Sequence, residues 1–151
     1  MLRRLLFGCA VAIALPVSAA QGAPAATQSV ACNQATLVIS FAATTATVVG
    51  QLAQCGGSGG VASGTVTGKL TYTDCVTSPF VANLRVKWDT GAVSRLHAKL
   101  TLGSDFFGYP VLDGTGRVRK GAFAGEKVSI ALLGSNSAIC AYGGWSGGLN
   151  A

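Results

Sequence analysis

The sequence predicts an all-β fold: a single antiparallel β-sandwich or small barrel of seven to eight strands. Three observations predict it. Val81 to Leu102 alternates apolar and polar residues on both sides of Asp89-Thr90-Gly91, the pattern of a hairpin with one dry face and one wet face. Gly, Ala, Thr and Val are abundant while charged residues make up only 11%. β-Branched alternation broken by frequent turn residues belongs to sandwiches and barrels. No stretch carries an apolar stripe of convincing helical period.

The chain opens with Met1-Leu2-Arg3-Arg4, an apolar run from Leu5 to Val17, and small residues from Ser18 onward. A short basic region, an apolar region of this length and a small-x-small site make a secretory signal peptide, expected over residues 1–20 with cleavage near 19–23. The run is too short to cross ~30 Å of hydrocarbon and no second run of ~20 apolar residues follows. The mature protein is therefore expected to be secreted to the extracellular side, to lack a transmembrane segment and to be a monomer. Arg3 and Arg4 leave with the leader, so the net charge falls from +6 to +4, modestly basic and not a polycation. Roughly 130 residues remain, enough for one domain with a real core.

Residues 21–31 are Ala/Gln/Pro-rich and are expected to form a flexible N-terminal segment. The disulfide-stapled β domain then spans 32–151. Ala35 to Val49 reads as one strand or two short ones, because its β-branched content opposes a helix. Cys55-Gly-Gly-Ser-Gly-Gly60 reads as a tight bend or bulge inside the domain. From Val61 to Thr73, the residues Ala62, Gly64, Val66, Gly68, Leu70 and Tyr72 share a face. Glycine on the apolar side of a strand needs something bulky over it, and Trp88 or Trp145 is expected to supply the cover. The hairpin follows, with Ala82, Leu84, Val86 and Trp88 pointing one way on its first arm and Ala92, Ser94, Leu96, Ala98, Leu100 and Leu102 sharing a parity on its second. Beyond it lie the aromatic loop Gly103 to Pro110, a predicted turn at Asp113-Gly114, and strands over 116–120 and 127–133 flanking Gly121 to Gly125. A turn from Gly134 and a last strand over 139–149 complete the chain.

Cys32, Cys55, Cys75 and Cys140 remain after the leader. An even number in an exported chain favours two disulfides. Three pairings are open. Cys32–Cys75 with Cys55–Cys140 is preferred slightly over Cys55–Cys75 with Cys32–Cys140. No pair has C-x-x-C spacing and His97 is the lone histidine, so no metal site is expected, nor any cofactor.

Arg85, Lys87, Arg95, His97 and Lys99 share the wet face of the hairpin and form the first candidate site. Like charges on neighbouring strands cost stability. Either the face binds an anionic partner (a cell-wall polymer, an acidic glycan, nucleic acid or membrane headgroups), or it is a solvated surface whose cations discourage strand-to-strand aggregation. The absence of interleaved aromatics counts against nucleic acid. Phe106, Phe107 and Tyr109 form the second candidate. On a loop they could stack on sugar or grip a partner, but three exposed aromatics are a liability in a monomer. They are therefore expected to fold inward and plug an open barrel end.

Catalytic residues are expected to be none. Ser58 and Ser146 each stand in G-x-S-x-G, but the motif needs a strand-turn-helix context and a later histidine. His97 precedes Ser146 and reads as an exposed strand histidine. Asp89 and Asp113 read as turn formers.

Cys55-Gly-Gly-x-Gly-Gly-Val-Ala-Ser-Gly-Thr-Val-Thr-Gly-Lys-Leu-Thr-Tyr-Thr-Asp-Cys75, a strand ending Trp88-Asp-x-Gly-x-x-Ser94, Gly116-x-Val-x-x-Gly-x-Phe-Ala-Gly125-Glu-x-Val128 and the late Cys140 together resemble small exported proteins common in actinobacteria. The resemblance covers roughly Cys55 to Leu149. It implies a β domain and export, and carries over no catalytic residue, because that family has no assigned activity. Neocarzinostatin-like apoproteins are also small exported two-disulfide β-sandwiches, but their bridges close two short loops that these cysteine spacings do not offer. The expectation is a secreted, non-enzymatic domain with a binding or structural role. Attachment to anionic polymers or carbohydrate at the cell surface is the alternative with a mechanism, and a hydrolase comes third.

Overall fold

In a computed structural model residues 28–135, 140 and 143–151 are described; the predicted leader lies outside them. Eight strands follow in order: β1 (Val30–Phe41), β2 (Thr45–Gly57), β3 (Gly64–Thr71), β4 (Phe80–Trp88), β5 (Val93–Ser104), β6 (Pro110–Gly121), β7 (Lys127–Gly134) and β8 (Gly143–Asn150). Each pairs antiparallel with the next, and β8 pairs back onto β1, closing a barrel. Of the two predicted architectures, the barrel is the one observed. The seam is completed by reciprocal backbone hydrogen bonds between Val30 and Ala151. Val30 is buried and β1 starts there, so the strand takes in the last two residues of the segment expected to be flexible.

Alternation puts the apolar residues inside. Leu37, Ile39, Val48, Leu52, Val66, Leu70, Leu100, Leu112, Ile130 and Leu132 fill the interior. Eight strands leave room for side chains or for one small ligand, and here side chains take it. The remaining apolar void is about 20 Å³, little more than one water needs. Outward positions are mostly Thr, Ser, Lys, Arg and Gly. A barrel that spans a membrane has the reverse polarity, with an apolar outer band.

The β4–β5 hairpin forms as its alternation predicts, turning at Asp89 to Gly91. Asp113-Gly114 does not turn. It lies inside one continuous β6, opposite Thr101 and Leu100. Gly114 and Gly116 face inward there, and a Cβ at Gly116 would stand 2.1 Å from the His97 carbonyl oxygen. These glycines let the curled strands approach, and are not turn formers. Of the expected tryptophan covers, Trp88 lies over Gly64, while Leu84 covers Gly68.

Both ends of the barrel are closed from within. At the end carrying the termini, Phe123 from the β6–β7 loop is buried against Trp88, ring centroids 5.5 Å apart. It adopts φ 61° to get there, a costly conformation for a bulky residue that burial of the ring offsets. Trp88 Nε1 donates to Ser94 Oγ at 2.8 Å, and that hydroxyl donates to the Ala122 carbonyl at 2.6 Å. Ser94 is fully buried and ties the plugging loop to the wall. Ser94→Ala would strand one donor and one acceptor; chemical denaturation is expected to show a loss of about 1–3 kcal/mol, against near neutrality for Ser104→Ala on the exposed hairpin.

At the other end, Phe41, Tyr72 and Phe80 pack together with centroids 5.0–6.3 Å apart, and the Tyr72 hydroxyl donates to the Ala42 carbonyl. The cysteines pair in the third way, against the preference read from the sequence: Cys32–Cys55 and Cys75–Cys140. Cys32 and Cys55 are register partners on β1 and β2. Cys75 lies between β3 and β4 and Cys140 between β7 and β8, on opposite sides of the ring, with Cα atoms 6.1 Å apart. That bridge spans the mouth. Two disulfides indicate an oxidising compartment. Beside Cys75, the carboxylate of Asp74 accepts hydrogen bonds from the Thr77 amide and hydroxyl and the Val76 amide. These bonds hold its pKa below the usual carboxylate value, the Thr77 amide foremost.

Candidate functional site

The five predicted hairpin residues do share one outer surface. Arg85 and Lys87 leave β4 outward, and Arg95, His97 and Lys99 leave β5 outward. Arg85 stands directly opposite Arg95. His97 Nδ1 lies 2.9 Å from Asn83 Oδ1, so the imidazole is held by a neutral amide.

The surface is larger than the hairpin. β6 pairs with β5 and β7 with β6, which adds four cations that single-hairpin reasoning missed. Lys120 is the register partner of Arg95, Arg117 that of His97, and Lys127 that of Arg117. Arg119 arrives by a different device. The β5–β6 register shifts between Arg95 and Leu96, so Val118 faces Leu96 while Lys120 faces Arg95. The extra residue of this bulge breaks the alternation, and Arg119 and Lys120 are both exposed. Two consecutive cations are thereby turned to the same side. Arg117 is steadied by a bond from Nη1 to the Gly125 carbonyl at 3.1 Å.

Two rows thus run across the strands: the cations Arg85, Arg95 and Lys120 in one, and His97 with the cations Arg117 and Lys127 in the next. Neighbours in a row are about 5 Å apart and rows about 7 Å apart. An open depression of about 1180 Å³ runs from this wall, where His97, Lys99, Arg117, Arg119 and Lys127 line it, round to Ala31, Gly57 and Asn150 on β1, β2 and β8. A second of about 440 Å³ lies between Arg85, Arg95 and Arg119. Opposite this wall, β1, β2 and β8 contain no charged residue. All nine lysines and arginines among the described residues lie between Lys69 and Lys127, so the barrel has a cationic half and an uncharged half.

Of the five carboxylates, Asp113 stands exposed on the outer face of β6 and Glu126 precedes Lys127, while the other three are engaged elsewhere. Asp89 Oδ2 accepts from the amides of Ala62 and Ser63, pinning the β2–β3 loop; it acts across loops, where the sequence suggested a purely local turn role. Asp105 and Asp74 are likewise taken up by backbone amides at the opposite end.

The aromatic loop is not a plug. Phe106 is 96% exposed, Phe107 81% and Tyr109 43%. The plugging positions are filled by Phe123 at one end and by Tyr72 and Phe80 at the other, so no interior space is left for the loop to enter. Ser58 is in a turn, where its hydroxyl accepts from the Ser29 amide, and Ser146 lies within β8 opposite Thr36. Neither has the strand-turn-helix setting of an activated serine. Comparison with protein-family models, curated proteins and solved structures finds no match to this chain.

Proposed function

We propose that the protein is an exported, non-enzymatic binding domain of the cell exterior that attaches to anionic polymers, cell-wall polymer or acidic glycan, through the outer wall of β4–β7. The observation that carries this reading is the in-register stacking of Arg85, Arg95 and Lys120 beside His97, Arg117 and Lys127. Like charges placed opposite one another destabilise a sheet, and a bound polyanion would repay that cost. The competing explanation, that cations protect a sheet edge from aggregation, loses its motive because a closed barrel has no edge. The filled interior favours an external site over a ligand cavity. A multivalent partner suits a row of cations, because each exposed contact is weak and screened by salt.

Retention on immobilised heparin tests the proposal. Lys99→Gln/Lys127→Gln removes two positive charges from the wall. Thr36→Glu/Thr47→Glu makes the same change in net charge on the uncharged half. The first variant is expected to elute at clearly lower salt, with the salt dependence of affinity reduced by roughly one log–log unit per lost contact. The second is expected to elute close to wild type. Equal shifts in both would reduce the effect to net charge and remove the site.

A further inference from the structure

The β5–β6 hairpin overshoots β4, while β7 accompanies β6 almost to its start. β4 last pairs with β5 at Phe80 and Leu100, and β7 with β6 at Leu133 and Val111. β5 and β6 stay paired to Ser104 and Pro110. Thr101 to Ser104 thus run past the end of β4, an overhang of about 13 Å. The loop at its tip is tightly built. Asp105 N donates to the Tyr109 carbonyl, Gly108 N donates to the Asp105 carbonyl, and Asp105 Oδ1 accepts from the amides of Phe107 and Tyr109 at 2.9 and 2.8 Å. Gly108 takes φ +83° to allow it. This ordered tip holds Phe106 and Phe107 out in water.

Their rings touch each other edge to face, centroids 5.5 Å apart at 87°. Perpendicular rings make a wedge, not a flat platform for a sugar ring. Among the described residues, five of the six exposed large apolar side chains sit at this end of the barrel; the others with the tip are Tyr109, Val76 and Leu133. The same hairpin forms the centre of the cationic wall. Along β5 the cations and the tip follow one another on a single strand, with Lys99 the cation nearest the tip.

Resting on the anion-binding wall proposed above, we infer a second, apolar attachment point: Phe106 and Phe107 enter the headgroup–acyl boundary of a lipid bilayer, whose anionic headgroups the wall accepts as well. The division of labour is physical. Two phenylalanines alone bind a membrane marginally, and stable attachment takes two signals, one apolar and one basic. Lys99 stands about 16 Å from the end of β5. Once the rings have sunk about 5–10 Å, it comes within about one Debye length of the headgroups. The Asp105 carboxylate lies at the base of the tip and accepts hydrogen bonds from two backbone amides.

Co-sedimentation with phosphatidylglycerol-containing vesicles, and with phosphatidylcholine vesicles, tests the inference. The wild type is expected to bind the anionic vesicles more tightly. Phe106→Ser/Phe107→Ser should lose at least about tenfold in that affinity while keeping its thermal midpoint and its retention on heparin. Phe106→Trp should show a blue-shifted emission on adding vesicles, above the signal of buried Trp88 and Trp145. Vesicle affinity unchanged in the double variant, or an unshifted emission, overturns the inference. So would a dimer, or binding to a neutral glycan, that the double variant abolishes, since the tip would then belong to a second copy or to sugar. Heparin retention without vesicle binding overturns the membrane assignment alone. Loss of both in the wild type overturns the wall as well.

Discussion

Replacing Cys75 and Cys140 together by serine is expected to lower the unfolding free energy by about 4 kcal/mol. The bridge closes 65 residues of chain, so in the unfolded state it removes more freedom than Cys32–Cys55, which closes 23 and is expected to contribute about 3 kcal/mol. Their positions differ in kind. Cys32 and Cys55 join two strands that the ladder already holds in register. Cys75 and Cys140 join loops on opposite sides of the ring, at the barrel end where Phe41, Tyr72 and Phe80 pack. Opening that bridge should therefore also raise hydrogen exchange in the β3–β4 loop, while opening the other should not. Urea denaturation of the two double-serine variants measures the order. A larger loss from Cys32→Ser/Cys55→Ser would show that local constraint at the β1–β2 pair outweighs the strap across the mouth.

Gly116→Val is expected to cost at least about 3 kcal/mol. The new Cβ would lie 2.1 Å from the His97 carbonyl oxygen, 2.5 Å from Ala98 Cα and 2.6 Å from Ala98 Cβ. Two of those neighbours are backbone, so β5 must move and no side-chain rotation relieves the clash. β5 also carries Arg95, His97 and Lys99, and its displacement would disturb the register of both cation rows. Thr115→Val, one residue away on the outer face, should stay within about 0.5 kcal/mol of wild type. Guanidinium denaturation of the pair checks the contrast. Equal, small effects would mean that the strands have slack at this corner and that the inward glycines are not required for closure.

The period-two alternation made the β class and the β4–β5 hairpin legible, because burial on one face leaves its mark on every second residue. Barrel closure left no such mark. It depends on β8 returning to β1, and the glycine-rich β8 offers few side chains to signal a partner. The β1–β2 hairpin was legible in principle. Opposed residue numbers sum to 87 along that ladder, at Phe41 and Ala46 as at Cys32 and Cys55. A turn placed at residues 42–45 therefore pairs the two cysteines directly. Reading Ala35 to Val49 as one strand or two hid that signal. Asp113-Gly114 misled because its dipeptide chemistry fits a turn, whereas the glycine was selected by the approach of β5. Phe106 and Phe107 misled because burial is the default for phenylalanine, and only the positions of Phe123, Tyr72 and Phe80 show that the ends were already filled. Half of the candidate site was visible as local alternation in one hairpin. The rest, Arg117, Arg119, Lys120 and Lys127, required the β5–β6 register and its bulge, which are tertiary facts.

The proposed function lies on the outside of β4–β7 and not inside the barrel. Backbone amide NMR during titration with a heparin oligosaccharide tests it most directly. Shift changes are expected to concentrate on Arg85, Arg95, His97, Arg117, Arg119 and Lys127, to weaken with added salt, and to leave Thr36, Thr47 and Ser146 on the uncharged half unmoved. Changes centred on interior residues such as Leu52 or Leu132, or spread evenly over both halves, would contradict it.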